Sequence, residues 1–121
     1  MHKKRGTTTP ESVAGSQGTT REVLLGPADG MPNFFLRKFR MAPGTGMPLH
    51  SNDVEHEQYV LAGRARIRVG EEVHEVGPGD ALYIPAGALH DYQTLGAEPF
   101  EFLCVVPNRP DRVRFAEGAG C

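Results

Sequence analysis

"EQYVLAGRARIRVGEEVHEVGPGDALYIP", residues 57–85, sets short extended runs between tight turns. The runs EQYVLA, RARIRV, EEVHEV and ALYIP are separated by Gly63, by Gly70 and by the turn GPGD. β-branched and apolar residues recur at every second position. No 3.6-residue apolar period of useful length appears, which argues for strands and nearly excludes helix.

The same pattern continues outward. Downstream, "PAGA" leads into "LHDYQTL", and "GAEP" into "FEFLCVV". Upstream, "REVLLG" is broken by "PADGMPN"; "FFLRKFRM" resumes the extended pattern and stops at "APGTGMP", read as a loop. About eight closely spaced strands predict an all-β sandwich or barrel. Residues 1–20, rich in Thr, Ser and Gly, have almost nothing to bury and read as a disordered tail or expression remnant. The barrel is expected over residues 21–107. Residues 108–121 lose the alternation and read as a loosely packed C-terminal tail.

The chain has 121 residues, with 15 Gly, 10 Pro and no Trp, enough for one domain with its own core. A net charge of −2 leaves no basic field to recruit nucleic acid or an acidic membrane, so a small-molecule partner is expected. No segment approaches the roughly 20 apolar residues that cross a bilayer. Cys104 and Cys121 form no disulfide framework, which suits a reducing compartment. No secretory apolar core follows "MHKKRG", and a cytoplasmic location is expected.

Strand parity assigns faces, because alternate residues point the same way. His56, Gln58, Val60 and Ala62 share one face; His90, Tyr92 and Thr94 share another; Phe100, Phe102, Cys104 and Val106 share a third. Leu103 and Val105 make the last strand apolar on both faces, which suggests burial against a second sheet and a homodimer. Of five histidines, His2 and His74 fall in polar surroundings and read as solvated. His50, His56 and His90 fall beside turns and apolar strand residues, and three imidazoles on converging strands suit Zn, Fe, Ni, Cu or Mn.

The spacing resembles the cupin family. That family's first motif runs Gly, five residues, His-x-His, three or four residues, Glu, six residues, Gly. In "GTGMPLHSNDVEHEQYVLAG" it is matched by Gly44, His50, Asn52 in the second His place, His56 in the Glu place, and Gly63. The second motif runs Gly, five residues, Pro-x-Gly, two residues, His, three residues, Asn. "GDALYIPAGALHDYQT" supplies Gly79, Pro85, Gly87 and His90, with Thr94 replacing Asn. "HSNDVEHE" is also similar to the "HSHPWEHE" of small cupins that bind manganese through four histidines, with Asn52 replacing the second.

The resemblance implies a double-stranded β-helix, the jelly-roll barrel, and a metal site of His50, His56 and His90 with Asn52 in the fourth place. The cofactor it implies is one divalent transition metal, Mn or Fe first, with Zn, Ni and Cu as further candidates. An amide oxygen at Asn52 is a hard, neutral donor, suited to Mn²⁺ or Fe²⁺ more than to Zn²⁺ or Cu²⁺; a water-bridging role is the alternative. Phe39, Gln58, Tyr92 and Cys104 are expected as pocket walls, and Asp53 as an acid able to replace a missing donor. Arg64, Arg66 and Arg68 form a cationic stripe read as a solvated face. No residue is assigned a catalytic role.

The leading functional expectation is a metal-dependent oxidoreductase of dioxygenase type acting on a small molecule. A non-catalytic metal- or ligand-binding module and a metal-dependent isomerase are the alternatives, as is a site too weak to hold metal.

Overall fold

The computed structural model describes residues 1–116 of the chain; Cys121 and the end of the expected C-terminal tail lie outside the described residues. Eleven strands form two antiparallel sheets. In chain order they are β1 (Glu11–Ser12), β2 (Thr19–Leu25), β3 (Phe34–Met41), β4 (Gly46–Ser51), β5 (His56–Ala62), β6 (Arg64–Val69), β7 (Glu72–Val76), β8 (Ala81–Ile84), β9 (His90–Leu95), β10 (Phe100–Pro107) and β11 (Arg114–Phe115). One sheet has the order β1-β2-β3-β10-β5-β8 and the other β11-β4-β9-β6-β7. Apart from one 3-10 turn at Pro27–Asp29, the described residues contain no helix. Among the described residues, no helix is long and apolar enough to cross a membrane.

The inner faces follow parity. β5 alternates buried His56, Gln58 and Val60 with exposed Glu57, Tyr59 and Leu61. On β10, Phe100, Phe102, Cys104 and Val106 are all buried, and they join Met41, Val60, Ile67, Ile84 and Tyr92 in one core between the sheets. Each such large side chain contributes about 1.5–3 kcal/mol on leaving water. Leu103 and Val105, on the outer face of β10, are half-buried. Arg64, Arg66 and Arg68 point outward on β6, with Arg64 paired to Glu75 and Arg68 to Asp91.

Three segments depart from the sequence reading. "GTGMP" was expected to be loop, yet Gly46, Met47 and Pro48 open β4. Proline is tolerated there because the β4–β9 ladder shifts register between Met47 and His50, so a missing N–H breaks no regular rung. Nor does either chain end match the tail expected of it. Glu11–Ser12 pairs with Thr20–Arg21, and Val13 packs against the core. Arg114–Phe115 pairs with His50–Ser51, placing the Phe115 ring 5.9 Å from that of His50. Single apolar contacts, the partly buried Val13 and the largely exposed Phe115 ring, accompany these polar segments, and such isolated residues leave no periodic signal.

Within the second sheet, β4 presses on β9 at Gly46, where an added Cβ would lie 1.9 Å from the Tyr92 carbonyl oxygen. Gly96 contrasts with it, having a φ of +75° but open space around it. Gly46→Ala is expected to destabilise the fold by about 2–4 kcal/mol, and Gly96→Ala by about 1 kcal/mol from left-handed backbone alone. Urea unfolding of the two variants beside the parent checks the difference.

Candidate functional site

β4 and β9 place His50 directly opposite His90, and β5 adds His56 from the facing sheet. The His50 and His90 rings lie 4.1 Å apart between centroids, and His56 lies 6.0 Å from His90 in an edge-on arrangement. All three are buried. They line one interior pocket of about 310 Å³ together with Asn52, Phe39, Gln58, Tyr92 and Cys104. These eight residues read from the sequence thus lie in the wall of a single cavity, and Asp53 does not.

Two local contacts fix the imidazoles. His50 Nδ1 lies 2.7 Å from the Pro48 carbonyl oxygen, and His90 Nδ1 lies 2.9 Å from that of Ala88. A carbonyl oxygen only accepts, so the neutral ring carries its hydrogen on Nδ1 and leaves the Nε2 lone pair uncommitted. This is the tautomer a metal ligand needs, held by the kind of contact that orients metal-bound histidines. His56 Nδ1 is buried without a partner. The two motifs are also tied through backbone, as Gly87 N–H donates to the Asn52 carbonyl at 2.8 Å. Among the described residues, no group of three or more His, Cys, Asp or Glu closes around a common point. The three rings share the pocket in an open arrangement, and the donor set fits a divalent ion by its chemistry: neutral imidazoles, two of them with the tautomer fixed, and a free amide oxygen beside them.

Asn52 is buried, and its Nδ2 donates to Asp111 Oδ2 at 3.1 Å, which leaves Oδ1 as its free acceptor. Asp111 also accepts the Asp53 backbone N–H through Oδ1 at 2.8 Å and lines the pocket. The acid near the site is therefore Asp111; Asp53 turns outward to an ion pair with Arg114. Thr94, where the motif has Asn, is buried and donates its hydroxyl to the Thr45 carbonyl at 2.7 Å, clasping β9 to the start of β4.

Sequence reasoning missed four groups in the walls. Asp111 lies in "PNRPDR", which has no alternation to read. Ser12–Ala14 and Val113 come from the supposed tails. Arg21 and Arg37 reach the interior from β2 and β3. Arg37 shares parity with Phe35, Phe39 and Met41, a usable signal obscured by the mixed residues of "FFLRKFRM".

Gln58 Nε2 donates to the Tyr92 hydroxyl at 2.7 Å, so that hydroxyl keeps its own hydrogen to donate, while Gln58 Oε1 is buried without a partner. Burial, and then Cys104, push the Tyr92 hydroxyl up, which keeps it protonated. Burial also raises the Cys104 thiol, with Arg37 opposing. Burial pushes His56 down to about 3, with the nearby charges of Arg37, His90 and His50 adding to the effect. His90 falls to about 4 through burial and His50, and His50 falls through burial, partly offset by its bond to Pro48.

A larger concavity of about 440 Å³ lies between Gly44–Leu49 and Arg66, Arg68 and Asp91. It carries no histidine, and Arg68 is paired to Asp91 at 3.8 Å. The titratable chemistry belongs to the interior pocket.

Two facing antiparallel sheets around a polar interior pocket define a jelly-roll barrel. The family model described as "Cupin domain" matches residues 37–106, and the chain belongs to that family. The polyketide cyclase RemF from Streptomyces resistomycificus superposes with a TM-score of 0.84 at 35% identity, covering 96% of this chain and 86% of that one. Oxalate decarboxylase OxdC of Bacillus subtilis is 32% identical over 93 residues, 73% of this chain and 24% of that protein. Mannose-1-phosphate guanylyltransferase ManC of Salmonella typhimurium is 30% identical over 98 residues, 76% of this chain and 20% of that protein. The chain spans a quarter or less of these two curated relatives.

The histidine shifts predict an acid-sensitive fold. Their pKa values are lower in the folded chain than the ordinary value of about 6.5 in the unfolded one, so the unfolded state binds more protons at mildly acid pH. Stability is fully present above about pH 6.5 and falls as pH drops towards 4. In chelator-treated protein, urea midpoints taken from pH 7.5 to 4.5 should decline, and His56→Gln should flatten the decline.

Proposed function

We propose that the chain is a divalent-metal-dependent enzyme acting on a small, oxygen-bearing molecule by non-redox chemistry, a ring closure or isomerisation. The observation that carries this reading is the convergence of His50, His56 and His90 in one pocket, two of them held as the Nδ1–H tautomer by backbone carbonyls. The three imidazoles would hold the ion, with Asn52 Oδ1 as a fourth donor or as the acceptor for a bound water. When bound, the ion supplies Lewis acidity that polarises a substrate oxygen.

The chain's own groups do the rest. Tyr92, held protonated, donates a hydrogen bond into the pocket; Gln58 Oε1 accepts one; together they can orient a carbonyl and its neighbouring hydroxyl. Burial by Phe102, Met41 and Met47 excludes water and strengthens those contacts. The 35% identity to a polyketide cyclase over most of both chains supports the non-redox class.

A second reading is an oxidoreductase of dioxygenase type. Three imidazoles leave coordination positions for both dioxygen and substrate, and this set is the feature that favours it. The two are separated by an oxygen electrode: Fe²⁺- or Mn²⁺-loaded protein that consumes dioxygen with a catechol, dione, thiol or flavonol favours the second reading.

Metal content tests the common premise. Protein saturated with Mn²⁺ and desalted should retain about one ion per chain by elemental analysis. His56→Ala should lose it, and Asn52→His should bind at least about tenfold more tightly. A parent that holds no metal, with metal restored by Asn52→His, overturns the enzyme reading in favour of a site too weak to function.

A further inference from the structure

The pocket holds two cations that the metal reading does not use. Arg21 on β2 faces Phe39 across the ladder and Arg37 on β3 faces Val23, so the two arginines are diagonal neighbours on one sheet face. That face is the inner one, and both side chains line the pocket. Among the described residues neither has a carboxylate within ion-pair distance; the arginines that do are Arg40, Arg64, Arg68 and Arg114. Nε of each is buried without an acceptor. Arg37 is left with weak partners, Cys104 Sγ at 3.5 Å and the face of Phe39 at 5.0 Å. Two half-buried like charges beside one another in a pocket wall, without an acid, are unfavourable unless a ligand brings the anion.

The adjoining wall has a definite shape. Phe39 and Phe102 stack at 5.1 Å with 6° between planes, and Tyr92 and Phe102 at 5.6 Å with 7°. Three nearly parallel rings thus stack in one column, with Arg37 over the Phe39 face at one end. An aromatic column beside two guanidinium forks matches a molecule with an aromatic body ending in a carboxylate.

We propose that this pocket binds an aromatic carboxylate, its carboxylate on Arg21 and Arg37 and its body along the ring edges of Phe39, Phe102 and Tyr92. The proposal deepens the enzyme reading by naming its substrate class, and rests on it only for which end of the molecule faces the histidines.

The probes are 2-naphthoate and its neutral isostere 2-naphthamide, titrated against the full chain by calorimetry, both chelator-treated and saturated with Mn²⁺. The chelator-treated parent should bind naphthoate at least about tenfold more tightly than the amide, with affinity falling as salt rises. Arg37→Gln and Arg21→Gln should each erode that preference and the double variant abolish it. Urea midpoints show whether each variant is folded, and the naphthoate-to-amide ratio in the parent needs no variant at all. Equal binding of the two probes, no saturable binding of naphthoate up to millimolar concentration, or a preference that survives in the folded double variant overturns the proposal. A chain that takes up no Mn²⁺ yet shows the arginine-dependent preference refutes the metal reading and supports this one; a chain that takes up Mn²⁺ but binds both probes alike does the reverse.

Discussion

The site depends on one extra residue in β4. Met47 pairs with Tyr92 and His50 with His90, so between these rungs β4 advances three residues while β9 moves back two. Strict alternation would turn Met47 and His50 to opposite faces. The bulge at Pro48–Leu49 restores the parity, and both side chains are buried on the inner face. It also brings the Pro48 carbonyl within reach of the His50 ring, the same contact that Ala88 makes with His90 two residues before it. One backbone irregularity therefore sets the direction of a candidate ligand and its tautomer. Gly46, pressed against the Tyr92 carbonyl, anchors the near end of this arrangement.

Burial then decides the charge of the site. His50, His56 and His90 crowd together beside Arg37, so protonating any of them places a cation among cations out of water. The rings stay neutral, which is the form that donates a lone pair. Asp111 is the one carboxylate in the pocket wall, and it is occupied by Asn52 and the Asp53 amide.

Much of this was legible beforehand. Alternation is clearest in β5, β6, β9 and β10, which each have one face in the core and one in water or half-covered, whereas turn residues bounded the others. The spacing of glycines, prolines and histidines brought forward the residues that share the pocket. β4 was illegible because its Gly-Met-Pro start carries turn residues whose conformations are fixed by the neighbouring strand rather than by themselves. Arg21 and Arg37 were illegible for another reason: periodicity treats every charge as outward-facing, and these two point in. Asp111 has no local pattern, and its place follows from the chain doubling back through β11 onto β4. Pattern reading works where solvent and core sort side chains by polarity, and fails where a pocket reverses that sorting.

The pocket wall has two kinds of origin. Its histidines, glutamine, tyrosine and cysteine belong to the central strands, whereas Ser12–Ala14 and Asp111–Val113 belong to the two ends of the described chain. These ends meet, the Phe115 ring lying so close to Gly15 that a Cβ there would fall 2.2 Å from it. The barrel can thus keep its interior chemistry while the rim is rewritten by changes in segments that bear little of the core. Part of the pocket's wall and the side chains of its interior are encoded in separate stretches of the sequence.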